Sequence, residues 1–268
     1  MFALRKEALA LNILMVGDVV GTSGLDFLRR KLPGLKRELA VDVCIVNGEN
    51  SADGNGITAV SAESIFTSGA DVVTTGNHAF RRREAYHYFD DTECLLRPAN
   101  FSPSVPGHGV CVLDKGRVKV GVINLMGTMY LDPIDNPFLC ADELVSSLSD
   151  CKIILVDFHA EATSEKKAMG FYLDGRVSAV AGTHTHVQTA DESILTGGTG
   201  YITDLGMTGP LESVLGVVPS IVIDKFKYNM PARFDWKQGK SELDACLFEI
   251  DDSTGKCLSV KRIRILED

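Results

Sequence analysis

Short apolar runs alternate with polar, glycine-rich breaks and helical segments along the first third of the chain. The runs cover residues 13–16, 43–46 and 71–74, and each is short enough to be a buried strand. Between the first two, the leucines of residues 25–39 form one apolar stripe at helical spacing, which Pro33 and Gly34 are expected to break or kink. Such alternation predicts βαβ units and a largely parallel sheet.

The rest of the chain adds antiparallel pairing to this pattern. Residues 110–113 and 118–125 flank the turn sequence Asp114-Lys115-Gly116, which predicts a hairpin. The other predicted elements are helices at 61–66, 81–89, 141–148 and 164–173, and strands at 152–156, 177–181, 245–250 and 258–265. Because no repeat or linker divides the sequence, we predict a single α/β domain over residues 1–268, built from two mixed sheets.

Composition and net charge limit which molecules the protein can bind. The chain has 268 residues, of which 45% are hydrophobic and 24% charged, so it is long and apolar enough to bury a core. Its formal net charge of −9 argues against a surface for nucleic acid, which needs clustered Lys and Arg. An anionic substrate would therefore need local positive charge, and bound metal ions can supply it.

Cysteine usage and the N-terminal segment bear on location. The seven cysteines are scattered and never spaced as C-x-x-C, a pattern typical of reduced thiols in a cytosolic protein. Glu7 and Asn12 interrupt the short apolar stretch at the N-terminus, so we do not expect a signal peptide. No apolar run approaches the roughly 20 residues that span a bilayer. We expect a cytoplasmic protein with no membrane partner, and a homo-oligomer remains open.

Five clusters of metal-competent residues follow directly on predicted strands. They are Gly17-Asp18, Asn47-Gly48-Glu49-Asn50, Gly76-Asn77-His78, Asp157-Phe158-His159 and Gly182-Thr183-His184-Thr185-His186. In open α/β sheets the carboxyl ends of strands converge on one crevice. Taken singly, each cluster has a structural alternative: a helix cap for Asp18, a turn around Glu49 or at Asn77, and a hydrogen-bonded core histidine for His159. Five such clusters together favour one shared site.

The candidate ligands are two carboxylates, two amides and three imidazoles. They are Asp18, Glu49, Asn50, Asn77, His159, His184 and His186. A nitrogen and oxygen set without thiolate suits iron, manganese or zinc rather than copper(I) or a structural zinc. Seven ligands exceed what one ion needs, whereas two ions with Glu49 as the bridge account for all of them. We therefore predict two metal ions, either iron (Fe2+ and Fe3+) or Mn2+, with Zn2+ as the alternative.

These motifs resemble the calcineurin-like metallophosphoesterase superfamily and, more closely, its YmdB-type branch. Three segments carry the closer resemblance: Asp-Phe-His-Ala-Glu-Ala-Thr-Ser-Glu-Lys (157–166), Gly-Thr-His-Thr-His-Val-Gln-Thr-Ala-Asp (182–191) and Gly-Met-Thr-Gly-Pro (206–210). The first motif departs from the broad superfamily, since Asp18-Val19-Val20 stands where Asp-x-His is usual. Glu49 takes the place of the bridging Asp, and Asn50 is the candidate replacement for the missing histidine ligand.

The resemblance implies a four-layer α/β/β/α sandwich of two mixed sheets and a division of the ligands. One metal would be held by Asp18, Glu49, Asn50 and His186, and the other by Glu49, Asn77, His159 and His184. It also implies that His78 is the catalytic acid rather than a ligand. Asn100 is the candidate polar contact to substrate in a pocket loop.

Two metal ions would make the site locally positive despite the acidic chain. We expect a hydroxide that bridges the ions to attack phosphorus in line, with His78 protonating the departing oxygen. The resemblance implies phosphodiester substrates, with 2′,3′-cyclic nucleotides as the favoured class, and the residues alone do not select among phosphate esters. A phosphomonoesterase and a metal- or nucleotide-binding regulator of RNA turnover remain as alternatives. A phosphate loop at residues 17–21 is disfavoured because neither glycine-rich phosphate motif is present.

Overall fold

The computed structural model describes residues 10–268, so most of the N-terminal segment discussed above lies outside the described residues. The strands are β1 (Ala10–Val16), β2 (Asp18–Val19), β3 (Val43–Asn47), β4 (Val72–Thr74), β5 (Leu95–Leu96), β6 (Val110–Asp114), β7 (Lys119–Met126), β8 (Ile153–His159), β9 (Ala179–Thr183), β10 (Ser193–Ile194), β11 (Gly200–Ile202), β12 (Met207–Pro210), β13 (Ser241–Asp251) and β14 (Cys257–Leu266). The α-helices are α1 (Gly21–Glu38), α2 (Ala59–Thr67), α3 (Tyr86–Asp91), α4 (Pro137–Ser147), α5 (Thr163–Leu173) and α6 (Pro219–Tyr228).

The strands form two sheets, each with parallel and antiparallel neighbours. In the first sheet, β1, β3, β4 and β5 are parallel, and β13 runs antiparallel to β1, β12 and β14. The short strand β2 joins this sheet through β12. In the second sheet, β11, β9, β8 and β7 are parallel and the antiparallel strands β10 and β6 form the edges. The prediction of two mixed sheets is confirmed.

Alternating side chains of each strand create separate cores on its two faces. In β1, Ile13 and Met15 belong to a core shared by both sheets, whereas Leu14 and Val16 pack with side chains of α1 and α2. The outer face of the second sheet has its own core, to which Met169 of α5 contributes. The helices therefore cover the two outer faces and the sheets pack on each other between them. This is the α/β/β/α sandwich that the family resemblance implied.

Three details of the predicted elements were wrong. Helix α1 continues through Pro33 because buried side chains on both sides of the proline, including Leu32 and Leu35, hold the two halves against the sheet. The predicted helix at 81–89 is a 3-10 turn (Arg83–Ala85) followed by α3. The helix predicted at 141–148 begins earlier, at Pro137, because the Asn136 side chain accepts hydrogen bonds from the first backbone N–H groups of the helix.

Two general features bear on the sequence-based expectations. Across residues 10–268, no helix combines the length and apolarity that crossing a membrane requires. The seven cysteines are free thiols, and four of them are buried: Cys44, Cys111, Cys246 and Cys257. This agrees with the interpretation of the cysteines as reduced thiols.

Asp244 in β13 is a buried carboxyl whose charge opposes folding. Burial and the nearby Glu242 carboxylate raise its pKa from an ordinary 3.8 to about 7, although Arg264 Nε lies 3.6 Å from its Oδ1. Between these two pH values the folded protein retains a proton that the unfolded chain has lost, so stability falls as pH rises through this window.

We expect Asp244→Asn to raise the melting temperature at pH 8 by at least about 2 °C. The gain should shrink as the pH is lowered towards 4, because the wild-type carboxyl is then neutral in the folded protein. Thermal denaturation of both proteins across this pH range measures the effect. A gain of equal size at every pH would show that the Asp244 charge is not its cause.

Candidate metal centre

The seven predicted ligands lie together at the edge where strands of both sheets end. The first sheet supplies four of them: Asp18 in β2, Glu49 and Asn50 directly after β3, and Asn77 after β4. The second sheet supplies His159 as the last residue of β8, and His184 and His186 from the loop after β9. Convergence of strand ends thus brings residues from distant parts of the sequence into one site.

The Nε2 atom of His159 is the centre of the first half of the site. It lies 3.0 Å from Asn77 Oδ1, 3.2 Å from Glu49 Oε2 and 3.0 Å from His184 Nδ1. A single ring N–H cannot serve three acceptors. Ligand atoms of Glu49, His159 and His184 lie within 4.8 Å of one another, close enough to bind one metal ion.

The second half of the site lies around Asp18 and His186. His186 Nε2 is 3.7 Å from Asp18 Oδ1 and 3.4 Å from Asn50 Nδ2. Asp18 is fully buried, and its Oδ1 has no hydrogen-bond partner within residues 10–268. A buried carboxylate oxygen without a donor is costly unless a cation binds it. Asn50 directs its amide nitrogen towards His186, so ligation through its oxygen requires the amide to turn.

The electrostatics of the site favour positive charge. Burial opposes a charge on His159, but Glu49 and Asp18 outweigh it and raise the pKa of His159 to about 9. Burial likewise favours a neutral Glu49, yet His159 and His78 hold the pKa of this carboxyl well below its usual range. A proton on His159 therefore balances Glu49, and a metal ion could take over that role. The donor set and its charge fit a metal.

Two histidines of the site have unusual backbone angles, and one glycine lies unusually close to the ligands. His184 and His186 adopt positive φ angles of 100° and 62°, a region that side chains rarely occupy. Gly76 passes so close to the site that a Cβ there would lie 2.1 Å from His159 Cδ2 and 2.2 Å from Glu49 Oε2. The turn before Asn77 therefore has room only for glycine.

A buried ion pair stabilises the strained loop that carries the two histidines. Asp204 Oδ2 accepts hydrogen bonds from Thr185 N (3.1 Å) and Thr185 Oγ1 (2.7 Å), which lie between His184 and His186. Lys166 Nζ donates to the same oxygen at 2.6 Å, and both charged side chains are almost fully buried. Lys166 is therefore part of the scaffold of this loop. Neither residue was predicted to support the site.

His78 lies beside the ligands without joining the cluster around His159. Its Nδ1 is 2.8 Å from Asn50 Oδ1 and 3.0 Å from Glu49 Oε1, and its side chain is 28% exposed. The adjacent Asn77 points to His159 instead, so the two neighbouring side chains diverge. This placement is compatible with a group that meets substrate, and the role of His78 as an acid stays a prediction.

The structure bears on two of the structural alternatives, those for Asp18 and His159. Helix α1 begins at Gly21 after Val20, without a capping side chain, so the helix-cap interpretation of Asp18 is wrong. His159 is a buried core histidine, but its Nε2 also faces ligand atoms of three other residues. The burial of His159 fits the core interpretation, and its role as a metal ligand stays a prediction.

Asn100 lies in a different environment from the one predicted for a substrate contact. It is 1% exposed, and its amide donates to the carbonyl oxygens of Met126 (2.7 Å) and Asp135 (2.9 Å). Its Oδ1 accepts from Met126 N at 2.9 Å. Because backbone groups occupy both ends of the carboxamide, the geometry favours a structural role for Asn100 over contact with a substrate.

Known proteins and one family model are similar to this chain over nearly its whole length. Over 96% of this chain and 98% of the relative, the sequence is 47% identical to the 2′,3′-cyclic-nucleotide 2′-phosphodiesterase of Bacillus subtilis (strain 168). A crystal structure of a hypothetical protein from Thermus thermophilus matches with a TM-score of 0.91 and 36% identity, covering 96% of this chain and 100% of that one. The crystal structure of a novel phosphatase from Mycoplasma pneumoniae matches with a TM-score of 0.93 and 35% identity, covering 97% and 95%. The family described as YmdB-like protein matches residues 14–263, and the chain belongs to this family.

Proposed function

We propose that this protein is a metal-dependent phosphodiesterase that hydrolyses 2′,3′-cyclic nucleotides. The observation that carries the proposal is the convergence of seven nitrogen and oxygen ligands on one edge of the sandwich. The substrate class is supported by the relative from Bacillus subtilis, which is 47% identical over nearly the full length of both chains.

The two carboxylate oxygens of Glu49 face different parts of the site, which supports a site that would hold two metal ions. Its Oε2 faces His159 Nε2 at 3.2 Å, whereas its Oε1 lies 3.4 Å from the Asn50 amide nitrogen. One carboxylate oxygen thus points to each half of the site. We assign one ion to Asp18, Glu49, Asn50 and His186, and the other to Glu49, Asn77, His159 and His184. The donor set suits iron or manganese, with zinc as the alternative.

Bound metal ions of this kind activate water and stabilise the charge on the phosphoryl group. The protein itself contributes His78 as the proton donor of the reaction. Glu49 Oε1 lies 3.0 Å from its Nδ1 and can accept a hydrogen bond from it. Nε2 is then the ring atom from which a second proton can move to the departing 2′-oxygen as its bond to phosphorus breaks.

A substrate panel tests the proposal directly. The purified chain is stripped with a chelator, reloaded with Mn2+ or Fe2+, and assayed on an aryl phosphomonoester, an aryl phosphodiester and 2′,3′-cyclic AMP. We expect activity to vanish on stripping and to return with metal, with the cyclic diester preferred. Preference for the monoester would favour a phosphomonoesterase, and nucleotide binding without turnover would favour a regulator. Elemental analysis should find about two metal ions per chain.

A further inference from the structure

Each of the three histidines in the candidate ligand set directs one ring nitrogen towards the other ligands. Its second ring nitrogen contacts a separate partner. The three partner contacts are His159 Nδ1 to Thr183 Oγ1 (2.9 Å), His184 Nε2 to Glu161 Oε2 (3.0 Å) and His186 Nδ1 to the Leu215 carbonyl oxygen (3.2 Å). A neutral imidazole carries one N–H, so a partner that accepts this hydrogen leaves the lone pair on the opposite nitrogen. The partner therefore decides which nitrogen can bind a metal.

We propose that Glu161 is a positioning residue of the metal centre, whose carboxylate accepts the Nε2–H of His184 and thereby presents Nδ1 of His184 as the ligand atom. The inference rests on the metal centre of the proposed function. His184 Nδ1 is the atom that faces the cluster, since it lies 3.0 Å from His159 Nε2. A carboxylate behind a metal-binding histidine fixes the orientation of the ring and strengthens its lone pair.

The position of Glu161 in the chain supports this role. It lies two residues after His159, in the short connection between β8 and α5, so one segment supplies a ligand and also orients a second ligand from the loop after β9. The Glu161 side chain is 48% exposed, whereas that of His184 is 18% exposed. Because the Glu161 carboxylate is half-exposed, core packing does not depend on it. Replacing Glu161 therefore tests its contact with His184 without creating a cavity in the core.

In His159 the roles of the two ring nitrogens are reversed relative to His184. Its Nδ1 contacts the separate partner, Thr183, and its Nε2 faces the other ligands. The Thr183 hydroxyl donates its only hydrogen to Asp157 Oδ1 at 2.7 Å, so it can only accept from His159 Nδ1. Asp157 is buried and also receives Asn47 Nδ2 at 3.1 Å. His159 therefore presents Nε2, while Glu161 makes His184 present Nδ1. The two rings approach each other through different nitrogens, with an angle of 71° between their planes.

Binding of Mn2+ to the metal-free full-length chain tests the role of Glu161. We expect Glu161→Ala to weaken Mn2+ binding by about 10- to 100-fold in calorimetric titrations. Glu161→Gln should restore most of the affinity, because its carboxamide oxygen still accepts the Nε2–H. Glu143→Ala, which removes an exposed glutamate from the outer helix α4, is the matched control and should bind as wild type does.

Ring-nitrogen chemical shifts provide a readout that a merely structural role would not change. With 15N-labelled histidine in the metal-free protein, His184 should carry its proton on Nε2 in wild type and in Glu161→Gln, and a mixture of both tautomers in Glu161→Ala. Unchanged Mn2+ affinity or an unchanged His184 tautomer in Glu161→Ala would overturn the inference, and so would a Gln variant as weak as Ala. If wild type itself binds no Mn2+, the proposed function fails, and the shifts still decide the tautomer.

Discussion

Replacement of Glu49 by glutamine should remove metal and hydrolysis together. Both carboxylate oxygens of Glu49 are directed at other site residues, Oε2 at His159 and Oε1 at His78. Glutamine would keep the shape but turn an amide N–H2 towards one of the two sides, where it cannot bind a metal. It would also remove the negative charge that raises the pKa of His159. We expect metal affinity to fall by more than about 100-fold, since partners behind the ligands alone account for 10- to 100-fold.

His78→Ala is the matched variant for this experiment. His78 contacts Glu49 and Asn50 but stands outside the cluster around His159, and its side chain is partly exposed. We expect the variant to keep about two metal ions per chain and to lose about 100- to 10,000-fold in rate on 2′,3′-cyclic AMP. Elemental analysis and initial rates are measured on the same preparations. If neither variant changes hydrolysis, the activity belongs to a contaminating enzyme and not to this site.

Gly76→Ala should be almost as damaging, although it changes no ligand. The added Cβ would lie 2.1 Å from His159 Cδ2, 2.2 Å from His159 Nε2 and 2.2 Å from Glu49 Oε2. Such distances force the turn and the two ligands apart, and a displacement of about 1 Å at a reacting centre costs about 100-fold in rate. We expect at least this loss, together with a smaller rise in melting temperature when Mn2+ is added.

Gly34→Ala is the control for the cost of adding a methyl group. Gly34 lies in α1, and a Cβ there meets no other atom within 4 Å. Because alanine favours helix more than glycine does, we expect full activity and a gain of up to about 1 kcal/mol in stability. Wild-type activity and Mn2+ binding in Gly76→Ala would mean that the turn before Asn77 relaxes freely, and the close approach would then have no functional meaning.

The helices and strands that could be predicted are those in which the apolar residues of the sequence are also the buried residues of the structure. All residues of β3 and β8 are buried, and both strands were visible as continuous apolar runs. Helix α6 was missed because Val222 is its one buried residue in the described structure, so no apolar stripe marks it. The expected break at Pro33 was wrong because packing of α1 against the sheet outweighed the local preference of proline.

The ligands of the candidate site were predictable for a similar reason, whereas their supports were not. Each candidate ligand follows or ends a buried strand, which the sequence shows directly. The contacts of Asp204 with Thr185 and of Glu161 with His184 join side chains 19 and 23 positions apart, and no short-range pattern encodes them. Glu161 was part of the segment that carried the family resemblance, but its role needed the position of His184. The positive φ angles of His184 and His186 could not be predicted from the sequence either.

The order of strands along the chain has a consequence for biogenesis. Every candidate ligand lies within the first 186 residues, yet Asp18 is in β2, which pairs with β12, and the neighbouring β1 pairs with β13. A ribosome therefore exposes the complete set of ligands well before it releases the strands that hold Asp18 in place. Because domains tend to fold as units once enough of the chain has emerged, metal loading would follow the emergence of β12 and β13. A nascent chain that ends after His186 would contain all the candidate ligands but lack the two strands that position Asp18.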